Sequence, residues 1–233
     1  MKETFGNAVA MAAGVLLLVC SFLLGREVAG YVSAMAESAK TPKVVVLDAG
    51  HGGADPGKIG INGAQEKDVN LQIAYRVKKY LEAQDIRVVL TRTDDAGLYD
   101  ADASNKKVQD MKRRIALIEE TAPDVTVSIH QNSYPEEYVR GAQVFYYDDS
   151  IAGKNLAQCI QDRLVEQLDP GNKRQIKAND SYYLLKKTRV PIVIVECGFL
   201  SNSEEAARLC NEEYQDRTAW AIHLGIVQYL NQR

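Results

Sequence analysis

VVVLDAGHGGADPGKIGINGAQEKDVN, residues Val44 to Asn70, opens as an unbroken apolar run and ends at the start of an amphipathic pattern. The run VVVL reads as a buried strand. It stops at Asp48 and gives way to a loop holding Gly50, Gly52, Gly53, Gly57, Gly60 and Gly63. His51 stands where the strand ends and Glu66 where the next helix begins. Open α/β sheets place their ligands in this kind of loop, between a strand end and a helix start.

Two later runs repeat the pattern. VTVSIHQN, from Val125, carries His130 at its end, and PIVIVECGF, from Pro191, carries Glu196 after Ile-Val-Ile-Val. A carboxylate closing so apolar a run is costly to bury unless it is paired or near a metal. Three strands ending in His or Glu suggest one polar site along one edge of a sheet. Two imidazoles with a carboxylate, and a further Glu to spare, suffice for a catalytic zinc. The third histidine, His223, falls inside an amphipathic helix and reads as structural. Cys197 neighbours Glu196, but successive strand residues face opposite ways, so Cys197 reads as a buried thiol outside the site.

Working outward, strands are expected at Lys43 to Leu47, Ile86 to Leu90, Val125 to His130, Ala142 to Tyr147, Tyr182 to Leu185 and Ile192 to Val195. Helices are expected at Asp68 to Ala83, Lys106 to Glu120, Ile151 to Leu168, Glu204 to Cys210 and Asp216 to Leu230, with Ser203 as the N-cap of the fourth. Val69, Ile73, Val77, Tyr80 and Leu81 mark the buried face of the first helix, and Met111, Ile115 and Ile118 that of the second. Strands alternating with helices predict a three-layer α/β/α sandwich around a mostly parallel sheet of about six strands, in one catalytic domain over 42–233.

Residues 1–41 are different in kind. Ala8 to Leu24 carries no charge and offers no polar face. It is long for a signal-peptide core and short for a full membrane span, within the range of either. Both readings export the domain, either secreted or held on the membrane, with Gly30 to Thr41 as a small polar linker and Pro42 at the domain start. The net charge of −3 gives no reason to expect nucleic acid. The four cysteines, Cys20, Cys159, Cys197 and Cys210, contain no CxxC pair, which argues against a cysteine zinc site. A Cys159–Cys210 bridge is left open.

The glycine loop has a rival reading. Gly52-x-x-x-x-Gly57-Lys58 nearly spells a phosphate-binding loop, but Ile59 stands where a magnesium-binding hydroxyl is needed and no helix follows directly. The dinucleotide fingerprint fails too, because its third glycine falls at Asp55.

Five motifs in order now carry a resemblance: LDAGHGG, Gln65-Glu66-Lys67-Asp68, Leu90-Thr91-Arg92, Ser128-Ile129-His130-Gln131-Asn132, and Ile194 to Asn202, IVECGFLSN. Over Lys43 to Tyr229 the chain resembles the zinc-dependent N-acetylmuramoyl-L-alanine amidases, and among them the compact germination-specific amidases of spore cortex. The resemblance implies a Zn2+ ion held by His51, Glu66 and His130, with Glu196 as the catalytic carboxylate. It implies hydrolysis of the amide between the lactyl group of N-acetylmuramic acid and L-alanine in peptidoglycan. Arg114 matches a family arginine near the site and Asn132 belongs to a site motif, so both are expected to contact substrate. No wall-binding module is expected beside the core, and the span from His130 to Glu196 is too short for the long inhibitory helix of some relatives. Such an enzyme is expected outside the membrane, aimed by its export segment and by a partner protein of the spore envelope. The rivals are a zinc peptidase or deacetylase of the cell wall and a non-catalytic wall-binding protein; the full ligand set beside Glu196 weighs against the last.

Overall fold

In the computed structural model, which describes residues 2–38 and 42–232, the apolar runs that frame the glycine loop become neighbouring strands of one sheet. The chain divides into two units, Met1–Pro42 and Lys43–Arg233. The first is a helix, α1 (Lys2–Ser38). It continues through Gly30 to Ser38, where composition suggested a linker. Its segment Ala13–Val32 is long and apolar enough to cross a membrane, and all the side chains of that segment are exposed.

The second unit runs β1 (Val44–Ala49), α2 (Glu66–Glu82), β2 (Arg87–Leu90), α3 (Lys106–Thr121), β3 (Val125–Asn132), β4 (Gln143–Tyr146), α4 (Ile151–Leu168), β5 (Lys177–Ala178), α5 (Tyr183–Lys187), β6 (Ile192–Phe199), α6 (Ser203–Leu209) and α7 (Glu212–Leu230). The six strands lie in the order β2-β1-β3-β6-β4-β5. The first four are mutually parallel, and β4 runs antiparallel to β6. From β1 the chain passes to β2 on one side; from β3 it passes to strands on the other. The crevice between the ends of β1 and β3 is therefore the topological switch point of the sheet, where this architecture opens a binding site.

Strand alternation sorts the two faces. Val45, Leu47 and Ala49 of β1, Val125, Val127 and Ile129 of β3, and Val193, Val195 and Cys197 of β6 pack into the larger core with α2, α4 and α7. The opposite face carries a smaller cluster: Val46, Ile192 and Ile194 with Phe145, Ile118 of α3, and Leu184 and Leu185 of α5. The even positions that close this face, Asp48, Ser128, His130 and Glu196, are the polar ones. The three-layer sandwich is thus present but lopsided, with the polar strand ends under the thin layer.

Several element ends differ from those expected. Tyr182 to Leu185 is not a strand. Asn179 Oδ1 accepts from the backbone N–H groups of Ser181 and Tyr182, and the turn so formed leads into α5. The edge strand is instead the two-residue β5, exposed and without an apolar signal. The cap of α6 is Asn202, whose side chain accepts from Glu205 N, and Ser203 is the first helical residue. An equivalent cap at Asn211 starts α7 four residues before Asp216. Cys159 and Cys210 are both free thiols, so the bridge left open is not formed. His223 is buried in α7 with its ring facing Gln84, as a structural residue.

The larger core is tightly packed where α7 crosses α4. A Cβ on Gly225 would stand 2.6 Å from Ile160 Cα. In an open helix, Gly to Ala gains about 1 kcal/mol. Here the clash is with backbone, and overpacking costs about 1–3 kcal/mol. Gly225→Ala is therefore expected to lower the midpoint of thermal unfolding; a raised midpoint would contradict this packing.

Candidate active site

The site is built on three carbonyl groups at the end of β1. Ala49 O accepts from Arg92 Nε at 2.9 Å and from an Arg114 terminal nitrogen at 2.8 Å. Gly50 O accepts from Arg92 at 3.2 Å and from Asn70 at 3.0 Å, and His51 O from Arg114 at 2.6 Å. These donors hold His51 in the left-handed region, φ 63°, which non-glycine residues rarely adopt. Two guanidinium groups under one loop need counter-charge. Asp48 and Asp110 supply it, each with a carboxylate oxygen 2.6 Å from Arg114. Asp48 also accepts from Thr91 and Ser128. Burial pushes the Asp48 carboxyl up, but Arg114 and the Ser128 hydroxyl more than offset it and hold it at about 2.

On this platform three ligand-type groups meet. His51, Glu66 and His130 each offer an atom within 4.8 Å of the others. Glu66 Oε1 lies 3.2 Å from His51 Nε2 and 3.0 Å from His130 Nδ1. Ligands about 2.0–2.1 Å from a tetrahedral zinc stand about 3.3 Å apart, so these spacings fit such an ion. Glu66 reaches the site as the first residue of α2, where a carboxylate suits the helix dipole. Backbone N–H groups of Lys58 and Gln131 donate to it at 2.8 and 3.1 Å. Asp55 Oδ2 lies 3.0 Å from His51 Nδ1 and fixes the tautomer that leaves Nε2 free as a ligand. The His130 ring lies against Gly50, where an added Cβ would come within 2.2 Å of it.

The electrostatics call for a cation. Burial pulls the His51 imidazole down, yet hydrogen bonds and charges from Glu66 and Asp55 outweigh it and raise it to about 9. Burial raises Glu66, and the hydrogen bonds of His130 and His51 outweigh that, holding it well below the usual carboxylate range. Glu196, paired in register with His130 on the adjacent strand, shares its face. Burial pushes Glu196 up to about 7, against the pull of His130 and His51. Its Oε2 atom is buried with no hydrogen-bond partner among the described residues. A buried orphan oxygen beside a ligand cluster is what a water or reacting group would satisfy.

Above these groups opens a cavity of about 590 Å³, whose lining includes His51, His130 and Glu196 with Tyr99, Lys107 and Tyr182. Arg114 also borders it, but all its donors are spent on Asp48, Asp110, Thr91 and the backbone of Ala49 and His51. Asn132 lies beyond the register shift in β3, outside the cavity lining, with its Oδ1 accepting from Ser133 N. Sequence reasoning missed Asp55, Asp48 and Tyr182. Asp55 carried a signal, an acid four residues after a candidate ligand in the same loop. Cys197 lies on the far face, buried, as alternation predicted.

An α/β sandwich that gathers two imidazoles and a carboxylate at its switch point, with a second carboxylate beside them, is that of a metal-dependent hydrolase. A sequence model of the N-acetylmuramoyl-L-alanine amidase family matches residues 45–228. The chain belongs to that family. It is 37% identical over 194 residues to the germination-specific N-acetylmuramoyl-L-alanine amidase of Bacillus subtilis strain 168, covering 82% of this chain and 81% of that one. The CwlD amidase of Clostridioides difficile, solved in complex with the GerS lipoprotein, is 40% identical with a TM-score of 0.80, over 82% of this chain and all of that one. An N-acetylmuramoyl-L-alanine amidase of Clostridium difficile 630 superposes with a TM-score of 0.73 at 33% identity, over 82% of this chain and 98% of that one.

The Asp48–Arg114 pair sets a pH dependence. The folded Asp48 carboxyl titrates at about 2, below its ordinary 3.8. Its contribution is therefore complete above about pH 4 and is lost as pH falls through about 2. Asp48→Asn leaves Arg114 short of a buried partner and should cost about 3 kcal/mol at pH 7. The stability gap to wild type should narrow below pH 4 in denaturant titrations. A gap independent of pH would overturn the ion-pair assignment.

Proposed function

We propose that this chain cleaves the amide between the lactyl group of N-acetylmuramic acid and L-alanine in spore-cortex peptidoglycan, using Zn2+. The observation that carries the reading is the orphan Oε2 of Glu196 beside the His51, Glu66 and His130 cluster. His51, through Nε2, with Glu66 and His130 would hold the ion. Bound there, zinc supplies Lewis acidity and makes hydroxide available near neutral pH.

The chain's own groups do the rest. Asp55 keeps the His51 proton on Nδ1, and the N–H groups of Lys58 and Gln131 fix the Glu66 carboxylate. Glu196 accepts a proton from the attacking water at its unpartnered Oε2 and passes it to the leaving alanine nitrogen. In this reading Arg114 is a positioning residue that shapes the His51 loop and does not touch substrate, and Asn132 stabilises the turn after β3.

The proposal extends to place and partner. The apolar span Ala13–Val32 suits delivery across or retention at a membrane, which supports a domain acting on the wall side. The C. difficile relative was solved with a lipoprotein, and a protein partner in the spore envelope is proposed here by analogy.

Mass spectrometry of peptidoglycan fragments tests the activity: wild type should free stem peptides with an L-alanine amino terminus. Free acetate with intact stems would instead mean a deacetylase. Glu196→Gln should keep its metal and lose about 10²- to 10⁴-fold in kcat; near-native turnover would remove Glu196 from the mechanism. His130→Ala should lose most bound metal, and full zinc occupancy in that variant would overturn the ligand set. Deleting residues 1–40 should leave a folded domain without effect on the cortex of developing spores, and normal cortex from that truncation would refute the role of α1 in targeting.

A further inference from the structure

Hydrolysis of an amide places negative charge on its carbonyl oxygen, and a donor fixed beside that oxygen contributes strongly. The donors lining the cavity can be taken in turn. Arg114 has no free N–H, as described. Lys106 and Lys107 are exposed, and the Lys106 ammonium lies 5.5 Å from the centre of the Tyr99 ring. The Tyr99 hydroxyl keeps its own hydrogen to donate, but its oxygen is anchored to the loop by accepting from Ala54 N at 2.6 Å. Tyr183 is 46% exposed.

Tyr182 differs from all of these in combining an unpartnered hydroxyl with partial burial. It is half-buried, lines the cavity with His130 and Glu196, and its hydroxyl forms no side-chain hydrogen bond among the described residues. Its ring stands 5.6 Å from that of Phe145, centre to centre. Its backbone is held on both sides of its Cα: the N–H donates to Asn179 Oδ1 at 2.7 Å and the carbonyl accepts from Lys186 N at 3.0 Å. Burial and then the charges of Glu196 and Glu66 push the phenol upward, so it remains a protonated donor. The side chain opens on the same cavity as His51, His130 and Glu196, which places it at the space where the amide would react.

We infer that the Tyr182 hydroxyl donates a hydrogen bond to the carbonyl oxygen of the scissile amide, making Tyr182 a catalytic residue. The inference rests on the amidase reading above. Water oxygen bonds to the carbonyl carbon, the C–N bond breaks, and the water's proton travels by Glu196 to the alanine nitrogen. Tyr182 keeps its own proton throughout and only shares the charge on the carbonyl oxygen.

The test is Tyr182→Phe in the full chain, assayed on peptidoglycan for released stem peptides. Phe keeps the packing against Phe145 and removes only the hydroxyl. The expected result is a kcat about 10- to 100-fold lower, with KM within about twofold and unchanged metal content. Incorporating 3-fluorotyrosine at 182 should restore turnover, since it returns the donor. A kcat equal to wild type overturns the inference. So does a raised KM at unchanged kcat, which would make the residue a mere substrate contact, and so does loss of metal, which would make it a support. If wild type itself frees no stem peptides, the amidase reading falls and takes this inference with it.

Discussion

The backbone at the end of β1 is the constraint on which the rest depends. A strand that stops at a sheet edge leaves carbonyl groups that water would ordinarily satisfy. Here two buried guanidinium groups satisfy them instead, and this replaces a mobile loop end with a fixed one. The cost is two cations in the protein interior, which are tolerable only because Asp48 and Asp110 sit against Arg114. Breaking that charge balance would release the His51 loop even though no ligand had been touched. The catalytic geometry therefore depends on ion pairs one layer below it.

How much of this was legible in the sequence follows from the reach of each signal. His51, His130 and Glu196 could be read because each stands at or just past the end of an apolar run, and a polar residue in such a place needs a reason. Glu66 could be read once the loop was seen to end at a helix. Asp48 occupied the same kind of position and was passed over, because its partners Arg114 and Ser128 lie 66 and 80 residues away in the chain. Nothing local in a sequence announces a pair so separated. The same distance explains Arg114: its place in the chain suggested the site, but only the fold shows its donors turned inward.

The misread segment at Tyr182 has a local cause. YYLL has the composition of a strand, yet Asn179 offers a side-chain acceptor to the following N–H groups and starts a turn. With five helical residues in place of a strand, Leu184 and Leu185 both enter the smaller cluster, and Tyr182 is left facing the cavity. Tertiary packing decided between two conformations that the sequence alone did not separate. The central strands raised no such ambiguity, because both their faces are covered and their runs are continuously apolar.

The unequal thickness of the two layers has a consequence for how such a protein can change over generations. Most of the apolar mass lies with α2, α4 and α7, on the face away from the cavity. The walls of the cavity come from the Tyr99 loop, the first turns of α3, and the segment leading into α5, all on the thinly covered side. Substitutions there touch few core partners, so their effects on folding stay small while the shape presented to a glycan or peptide alters. Lineages can therefore retune what the enzyme accepts without renegotiating its stability, whereas drift in the thick layer is purged whatever the substrate.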